Sequence, residues 1–382
     1  MSHIAFFNIP GHGHVNPTLP VVAELVARGH RVTYAVPAAF RAAVEHAGAT
    51  PVAYPTTLPA EDGQWPTGMA PAMKLFLDEA VALLPVLAAA YADDRPDVVV
   101  YDIGAWPARV LAARWGVPAI QFSPTFVAYE GWEEDMGEVN ETPEMKAVHA
   151  EIGAWLRAEG VDMDPQAFVG DPDRAVVSIA RSFQYGERVA DKYTFVGPCI
   201  GDRSFQGGWD APADGRPVLL ISLGSAYTDD PAFYRACLAA FGDLDWHVVI
   251  NIGKHVDPAD LGGIPANVEL HRWLPQLDIL SHAKVFITHC GMGGTMEALY
   301  HGVPMVGVPT IDEQVMNAVR VAELGLGRHL PREEATPEAL RAAVLELAGD
   351  EQVAARLAAF RAEVRAAGGT AAAADVIEGA LG

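Results

Sequence analysis

The chain has 382 residues, of which 51% are hydrophobic and 20% charged, and its formal net charge is −23. This length suffices for two ordinary domains, and the composition is typical of a globular enzyme. The acidic balance excludes the basic footprint of a nucleic-acid-binding protein. The excess of acidic residues is interpreted mainly as an aid to solubility. Long-range attraction of a cationic acceptor by this charge is the weaker interpretation.

The sequence pattern predicts a cytoplasmic protein that does not associate with a membrane. The three cysteines, Cys199, Cys237 and Cys290, are widely spaced and form no Cys-x-x-Cys pair, which argues against disulfides and zinc. The first residues lead directly into a strand pattern, so we expect no signal peptide. No apolar run reaches the roughly 18 residues that a membrane span requires.

Short apolar strands alternate with helices in the first half of the chain. A glycine-bearing loop over residues 10–17 follows the first strand, and residues 129–168 are predicted to be mainly helical. The alternation predicts a doubly wound parallel sheet. The predicted strands are 3–9, 31–36, 97–101 and 119–122, and the predicted helices are 18–28, 38–46, 72–92 and 107–115.

The same pattern restarts after residues 202–217, a polar, turn-rich segment that we predict to be a linker. The fold class is therefore α/β, with two Rossmann-like, doubly wound parallel-sheet domains, over 1–201 and 218–359, that face each other across a cleft. The predicted strands are 218–222, 246–251, 285–288 and 305–308, and the predicted helices are 232–241, 295–300 and two that begin at 336 and 351.

A glycine-rich turn over residues 288–295 lies between a predicted strand and a predicted helix. Glycines let backbone amides approach an oxygen closely, and a helix N-terminus adds partial positive charge, so this turn predicts a phosphate or diphosphate site. A simple tight turn is the alternative, as it is for the second loop at Ser222, Gly224 and Ser225. The predicted phosphate ligands are His289, Gly291, Gly293, Gly294 and Thr295, although Thr295 is also a candidate helix N-cap.

Polar and aromatic residues flank this turn and indicate a nucleotide sugar. Trp273, followed by Leu274, could stack on a base, or it could be a core residue. Glu297, one turn into the predicted helix, is a candidate for hydroxyl groups of a ribose, and the alternative is a solvated surface charge. Gln276 also flanks the turn. Glu313 and Gln314 are candidates for sugar hydroxyls, and the alternative is a helix N-terminal turn.

His14 and Asp102 are the candidate catalytic residues, because each follows a predicted strand. A neutral imidazole can take a proton from an acceptor hydroxyl, and a carboxylate on its other nitrogen stabilises the imidazolium. A structural loop histidine is the alternative. His12 and His14 could form a metal pair, but we find no third ligand. Cys290 beside His289 suggests a thiol hydrolase only weakly, since adjacent side chains point apart.

These motifs resemble the family 1 glycosyltransferases of the GT-B fold, most closely the Streptomyces macrolide glycosyltransferases of the oleandomycin type. The similarity extends over nearly the whole chain. The strings that carry it are Gly13-His-Val-Asn-Pro17, Leu25-Val-Ala-Arg-Gly-His-Arg-Val-Thr-Tyr34, Tyr101-Asp-Ile103, Pro107-Ala-Arg-Val-Leu111, Tyr193-Thr-Phe-Val-Gly197, Ser222-Leu-Gly-Ser-Ala226 and Trp273-Leu-Pro-Gln276.

The resemblance implies an inverting transferase that uses UDP-glucose as co-substrate, holds no tightly bound cofactor and needs no metal for its chemistry. It implies His14 as the base with Asp102 as its partner, and a donor site built from the flanking residues and the glycine turn. Glu313 stands where the family commonly has Asp, which affects the choice of sugar more than the choice of UDP. The resemblance also implies that a C-terminal helix, about 360–382, packs on the N-terminal domain.

The acceptor is expected to be a small hydrophobic molecule, a macrolide or flavonoid, bound by the N-terminal domain and inactivated by glucosylation. Three alternatives are a biosynthetic transferase that uses a TDP-deoxysugar, a nucleotide-sugar epimerase or hydrolase, and a nonenzymatic nucleotide-binding protein. A monomer or a homodimer is expected. The candidate acceptor residues, each of which could instead be a core residue, are Pro66, Met73, Phe76, Trp106, Phe122, Phe126 and Trp132.

Overall fold

A computed structural model describes residues 1–59, 63, 65–135, 137–226 and 228–381. Contacts between Cα atoms divide them into two compact units. The first unit consists of residues 1–201 and the C-terminal segment from residue 367, and the second consists of residues 202–366.

The first unit is built on a seven-stranded sheet in which every paired strand is parallel to its neighbours. The strand order is β3-β2-β1-β4-β5-β6-β7, so the winding direction reverses between β1 and β4. The strands are β1 (His3–Phe7), β2 (Arg31–Val36), β3 (Thr50–Ala53), β4 (Val98–Asp102), β5 (Ala119–Ser123), β6 (Ala175–Val177) and β7 (Tyr193–Phe195).

Helices cover both faces of this sheet, because alternate residues along each strand point to opposite sides. Phe7 and Tyr101 face one apolar cluster with the long α4, and Phe6 and Val100 face the other with α2. The helices are α1 (His12–Val15), α2 (Leu19–Ala27), α3 (Arg41–His46), α4 (Met69–Ala90), α5 (Trp106–Trp115), α6 (Trp132–Asp135), α7 (Gly137–Asn140), α8 (Pro143–Ala158) and α9 (Pro165–Gly170).

The second unit repeats this architecture with six parallel strands in the order β10-β9-β8-β11-β12-β13. Its winding reverses between β8 and β11. The strands are β8 (Val218–Ser222), β9 (His247–Asn251), β10 (Val268–His271), β11 (Ala283–Thr288), β12 (Met305–Gly307) and β13 (Gly327–His329). The helices are α10 (Pro231–Phe241), α11 (Gln276–Leu280), α12 (Met292–His301), α13 (Asp312–Glu323), α14 (Pro337–Gly349) and α15 (Glu351–Ala366).

The last helix, α16 (Gly369–Glu378), belongs to the first unit. Its residues Ala373 and Ile377 lie in the apolar cluster around α2. Arg28 donates to both Asp375 and Glu378 at 2.6 Å. The C-terminal segment joins this unit from residue 367, after α15 ends, and not from about residue 360.

The predicted fold class of two doubly wound, parallel-sheet α/β domains is confirmed. Five short strands, β3, β6, β7, β10 and β13, were not predicted. Each has only three or four residues, too few to show a hydrophobic period. Residues 202–217 were predicted to be a linker, but they lie in the second unit, where Trp209 donates to Glu269. Within the described residues, no helix is both long and apolar enough to cross a bilayer.

Candidate active site

His14 and Asp102 meet at the point where the first sheet reverses its winding. β1 and β4 are neighbours, with Phe7 in register with Tyr101, so the segments that follow them start side by side. The Nδ1 atom of His14 lies 2.7 Å from Oδ2 of Asp102. The predicted pair is therefore a direct hydrogen-bonded contact, although its members are 88 positions apart.

The surroundings of the pair fix both side chains. Asp102 is only 1% exposed, and its Oδ1 accepts the backbone N–H of Gly104 at 2.9 Å. Residues 12–15, predicted to be loop, form the helical turn α1, and Asn8 donates to the carbonyl of His14. When Nδ1–H donates to Asp102, the acceptor lone pair of neutral His14 is on Nε2. The His14 side chain is 28% exposed, so a solute can approach it.

In the second unit, the glycine-rich turn leads into α12 earlier than predicted. The helix begins at Met292, with Gly291 as its N-cap, and not at Thr295. Thr295 is fully buried one turn inside the helix, so its predicted N-cap role is wrong. Gly291, Gly293 and Gly294 are partly exposed, and the first amides of α12 are available to an anion.

His289 is packed between glycines from two loops. A Cβ atom on Gly224 would lie 2.6 Å from the His289 ring, and one on Gly291 would lie 2.5 Å from its Nε2. Burial lowers the pKa of His289 to about 4. The imidazole is therefore neutral near pH 7 and can donate one hydrogen bond without adding a charge.

Cys290 is the one non-glycine residue with a positive φ, 60°, among the described residues. Its N–H donates to Thr288 Oγ1 at 3.1 Å, and its carbonyl accepts Nδ2 of Asn317 at 2.9 Å. Asn317 is fully buried, and the sequence analysis gave it no role. The buried thiol has a pKa raised to about 12, which argues against a nucleophilic role for Cys290.

The loop after β8 lies beside the turn, because β8 pairs with β11. Ser222 is buried, and its Oγ accepts the N–H of Gly224 and Nδ2 of Asn251, each at 3.3 Å. This hydroxyl thus stabilises its own loop. Ser225 is partly exposed.

The residues predicted for the nucleoside lie on α11, α12 and the segment before α11. Trp273 is 47% exposed and therefore not a core residue, whereas Leu274 is buried. Gln276 Nε2 donates to Glu297 Oε2 at 2.6 Å. Arg203 Nη1 donates to Glu297 Oε1, also at 2.6 Å. Arg203 was not predicted, because it lies in the polar segment that resembled a linker.

Glu313 and Gln314 lie in the first turn of α13, as the alternative interpretation expected. Glu313 is exposed. Gln314 is buried, and its Oε1 accepts the N–H of Thr310 at 2.9 Å. The oxygen of Gln314 thus caps the preceding loop, which leaves Nε2 as its donor group.

The structure divides the predicted acceptor residues into separate groups. Phe76 contacts Trp106, and Met73 lies in the same apolar cluster. Phe122 is only 1% exposed and packs on the opposite face of the sheet, so it is a core residue and not an acceptor ligand. The remaining three are partly exposed: Pro66, Phe126 stacked on Phe183, and Trp132 against Tyr129.

No group of three or more His, Cys, Asp or Glu side chains in the described part of the chain is arranged to hold a metal ion. His12 lies with its ring 5.0 Å from that of Phe40, in an edge-on contact. The structure thus gives no support to a metal pair of His12 and His14.

Comparison with known proteins identifies the family. The model of the erythromycin biosynthesis protein CIII-like C-terminal domain matches residues 235–378. Oleandomycin glycosyltransferase of Streptomyces antibioticus is 48% identical over 100% of this chain and 91% of its own length. Demethyllactenocin mycarosyltransferase of Streptomyces fradiae is 38% identical over 100% of this chain and 87% of its own.

Among solved structures, the glycosyltransferase of kitacinnamycin superimposes with a TM-score of 0.91 at 46% identity, over 100% of this chain and 99% of that one. The sequence match and the structural match each extend over both units. The chain therefore belongs to the macrolide glycosyltransferases of the oleandomycin type, within the family 1 glycosyltransferases of the GT-B fold.

Proposed function

We propose that this chain is an inverting O-glycosyltransferase that moves glucose from UDP-glucose to a hydroxyl group of a macrolide and thereby inactivates it. The observation that carries the proposal is the 2.7 Å contact between His14 and Asp102 at the carboxyl ends of β1 and β4. In open parallel sheets, ligands bind at this kind of reversal in strand order.

The first unit supplies the base. Nε2 of His14 takes the proton of the acceptor hydroxyl as its oxygen attacks the anomeric carbon of the donor. The bond between that carbon and the phosphate oxygen breaks, and UDP leaves with the electron pair. Asp102 stabilises the imidazolium that forms, and a single displacement inverts the anomeric configuration.

The second unit holds the donor. A chain with a net charge of −23 must bind a diphosphate without a general excess of cations. The amides after Gly291 and the positive end of α12 serve that purpose, and neutral His289 adds a hydrogen-bond donor. Since these groups stabilise the leaving diphosphate, the proposed reaction needs no metal. Exposed Trp273 is the proposed platform for uracil.

A macrolide acceptor is supported by the name of the Streptomyces antibioticus relative, and the partly exposed aromatic side chains of the first unit are its candidate contacts. A second candidate function, transfer of a deoxysugar from TDP, is supported by the mycarosyltransferase relative. All three cysteines are buried, free thiols, which supports assignment of the reaction to the cytoplasm.

The test is mass spectrometry of products from UDP-glucose or a TDP-deoxysugar, each with and without oleandomycin. We expect a mass increase of one hexose with UDP-glucose. Deoxysugar transfer alone would establish the second candidate. Conversion of the donor without an acceptor, to free nucleotide or to an isomer separated by chromatography, would establish a hydrolase or an epimerase.

His14→Ala tests the assignment of the base. It should lower kcat by about 10²–10⁴-fold and leave the affinity for UDP unchanged. His12→Ala, in the same helical turn, is the matched control and should retain turnover. Loss of UDP binding in His14→Ala would contradict the assignment.

A further inference from the structure

Arg203, Glu297 and Gln276 form a polar cluster in the second unit, in which Gln276 is partly buried. The two carboxylate oxygens of Glu297 accept from different residues, Oε1 from Arg203 and Oε2 from Gln276, each at 2.6 Å. The side chains of Arg203 and Glu297 are 9% and 8% exposed. The three residues come from the segment after residue 201, from α12 and from α11.

The cluster lies next to the glycine-rich turn. Glu297 follows Gly293 and Gly294 by four and three positions in α12, which places these residues on one side of the helix. A Cβ atom on Gly294 would lie 3.4 Å from Nε2 of Gln276. The cluster therefore adjoins the proposed diphosphate site, on the side of α12 that lies next to Gln276.

Stability alone does not explain this ion pair. Buried ion pairs generally contribute little net stability, because desolvation of both charges offsets their attraction. In addition, Nε of Arg203 is buried, and the described residues supply no hydrogen-bond partner for it. Since an unmade hydrogen bond of a buried charged group is costly, this donor indicates a site for a ligand oxygen.

We propose that Arg203 is a positioning residue that orients Glu297 toward the ribose and makes donor binding depend on the 2′-hydroxyl. This inference rests on the proposed function. Each carboxylate oxygen keeps a second acceptor site, so Glu297 can accept two ribose hydroxyls while it is held by Arg203 and Gln276. A hydroxyl that donates to Glu297 can also accept from Nε of Arg203, which satisfies both groups.

The consequence is selectivity between ribonucleotides and 2′-deoxyribonucleotides that carry the same base. A site built to bond a hydroxyl rejects the analogue that lacks it, because its buried polar groups are then left unpaired. Arg203 would thus disfavour TDP donors, whose sugar is a deoxyribose, independently of the base.

The experiment measures dissociation constants of UDP and 2′-deoxy-UDP by calorimetry for the full chain and three variants. We expect the unsubstituted chain to prefer UDP by about tenfold or more. In Arg203→Ala the preference should fall below about threefold, mainly through weaker UDP binding. Arg203→Lys keeps the positive charge but not the planar guanidinium group. Its preference for UDP over 2′-deoxy-UDP should therefore be intermediate. Arg216→Ala is the matched control, because Arg216 pairs with Asp214 instead, and it should not change the ratio.

Three outcomes would overturn the inference: no preference in the unsubstituted chain, an unchanged ratio in Arg203→Ala, or equal weakening of both nucleotides. Equal weakening would indicate a phosphate contact or a purely structural role. If Arg203→Ala does not fold, as judged by circular dichroism, the ratio in Arg203→Lys decides the question. Failure of the proposed function is distinct, since the unsubstituted chain would then not bind UDP or not transfer glucose.

Discussion

The two units share one strand order over six strands, but they carry different residues at the point where that order reverses. In each, the strand order reverses between two neighbouring strands, β1 and β4 or β8 and β11. In the first unit, His14 follows β1, and Asp102 is the last residue of β4. In the second, the loops after these strands bring Gly224 and Gly291 against His289.

In both units, the sheet determines where a ligand site lies, and the loops determine its chemistry. One histidine bonds to a buried carboxylate, whose charge would stabilise an imidazolium formed in the proposed reaction. The other has its pKa lowered to about 4 by burial and so stays neutral beside a proposed diphosphate. One doubly wound plan thus carries the proposed base in one unit and the proposed anion site in the other.

The largest effect should come from Asp102→Asn, which removes the charge from the first site and leaves its shape. We expect kcat to fall by about 10³-fold, because the amide neither stabilises the imidazolium nor holds the reactive tautomer. UDP affinity should be unchanged. Steady-state kinetics and calorimetry measure the two quantities.

Asp97→Asn is the matched control, because Asp97 bonds to the N–H of His3 just before β4 begins, at the other end of the strand. It should affect stability but not kcat. An equal fall of kcat in both variants would mean that Asp102 acts no differently from an ordinary hydrogen-bonded carboxylate.

Gly291→Ala should damage the second site by adding one methyl group. The new Cβ would lie 2.5 Å from Nε2 of His289, so the ring or the turn must move. We expect UDP to bind about 10–100-fold more weakly, since hydrogen bonds to a charged group are lost. Calorimetry measures the change. Gly263→Ala is the control, because a Cβ there meets nothing within 4 Å; a similar loss in that variant would contradict the explanation.

Asn317→Ala tests whether the shape of the glycine-rich turn depends on the contact with the carbonyl of Cys290. We expect UDP affinity to fall about 3–10-fold, because a left-handed non-glycine residue costs about 1–2 kcal/mol and loses its support. Cys290→Gly in the same chain should restore part of the affinity, since glycine adopts positive φ without that cost. Calorimetry of UDP binding to Asn317→Ala, to Cys290→Gly and to the double variant measures how far the effects of the two substitutions depend on each other.

Asn267→Ala is the matched control for Asn317→Ala. Asn267 is also an asparagine of the second unit that supports a loop, through the carbonyls of Phe241, Leu244 and Trp246. It should destabilise the chain with no change in UDP affinity. If Cys290→Gly gave no rescue, the backbone explanation would be wrong.

The sequence was most informative about residues that follow predicted strands. A glycine-rich turn after a buried strand is visible in a few adjacent letters. His14 and Asp102 are 88 positions apart, but each follows a predicted strand, and the carboxyl ends of parallel strands meet at one edge of the sheet. Residues that lie away from the strand ends and act through distant contacts were missed. Asn317 reaches Cys290 across 27 positions and Arg203 reaches Glu297 across 94, and no spacing rule reveals such pairs. Phe122 was misassigned because an aromatic residue near a strand end looks the same whether it faces the core or a ligand.

The smallest effect concerns acid stability and distinguishes the two histidines. The pKa of His289 is about 4 in the folded chain, whereas an unperturbed histidine has a pKa of 6.5. Between those pH values, only the unfolded chain gains this proton. The contribution of neutral His289 to stability is therefore fully present above about pH 6.5 and is lost as the pH falls toward 4.

The substitution His289→Gln removes this dependence of stability on pH. Between about pH 7 and pH 5, the variant should lose roughly 1–2 kcal/mol less unfolding free energy than the unsubstituted chain, as measured by urea denaturation. His46→Gln, at an exposed position of α3, is the control. Equal acid sensitivity of His289→Gln and the unsubstituted chain would mean that His289 is not held neutral, and the contrast between the two sites would then lie in the glycines alone.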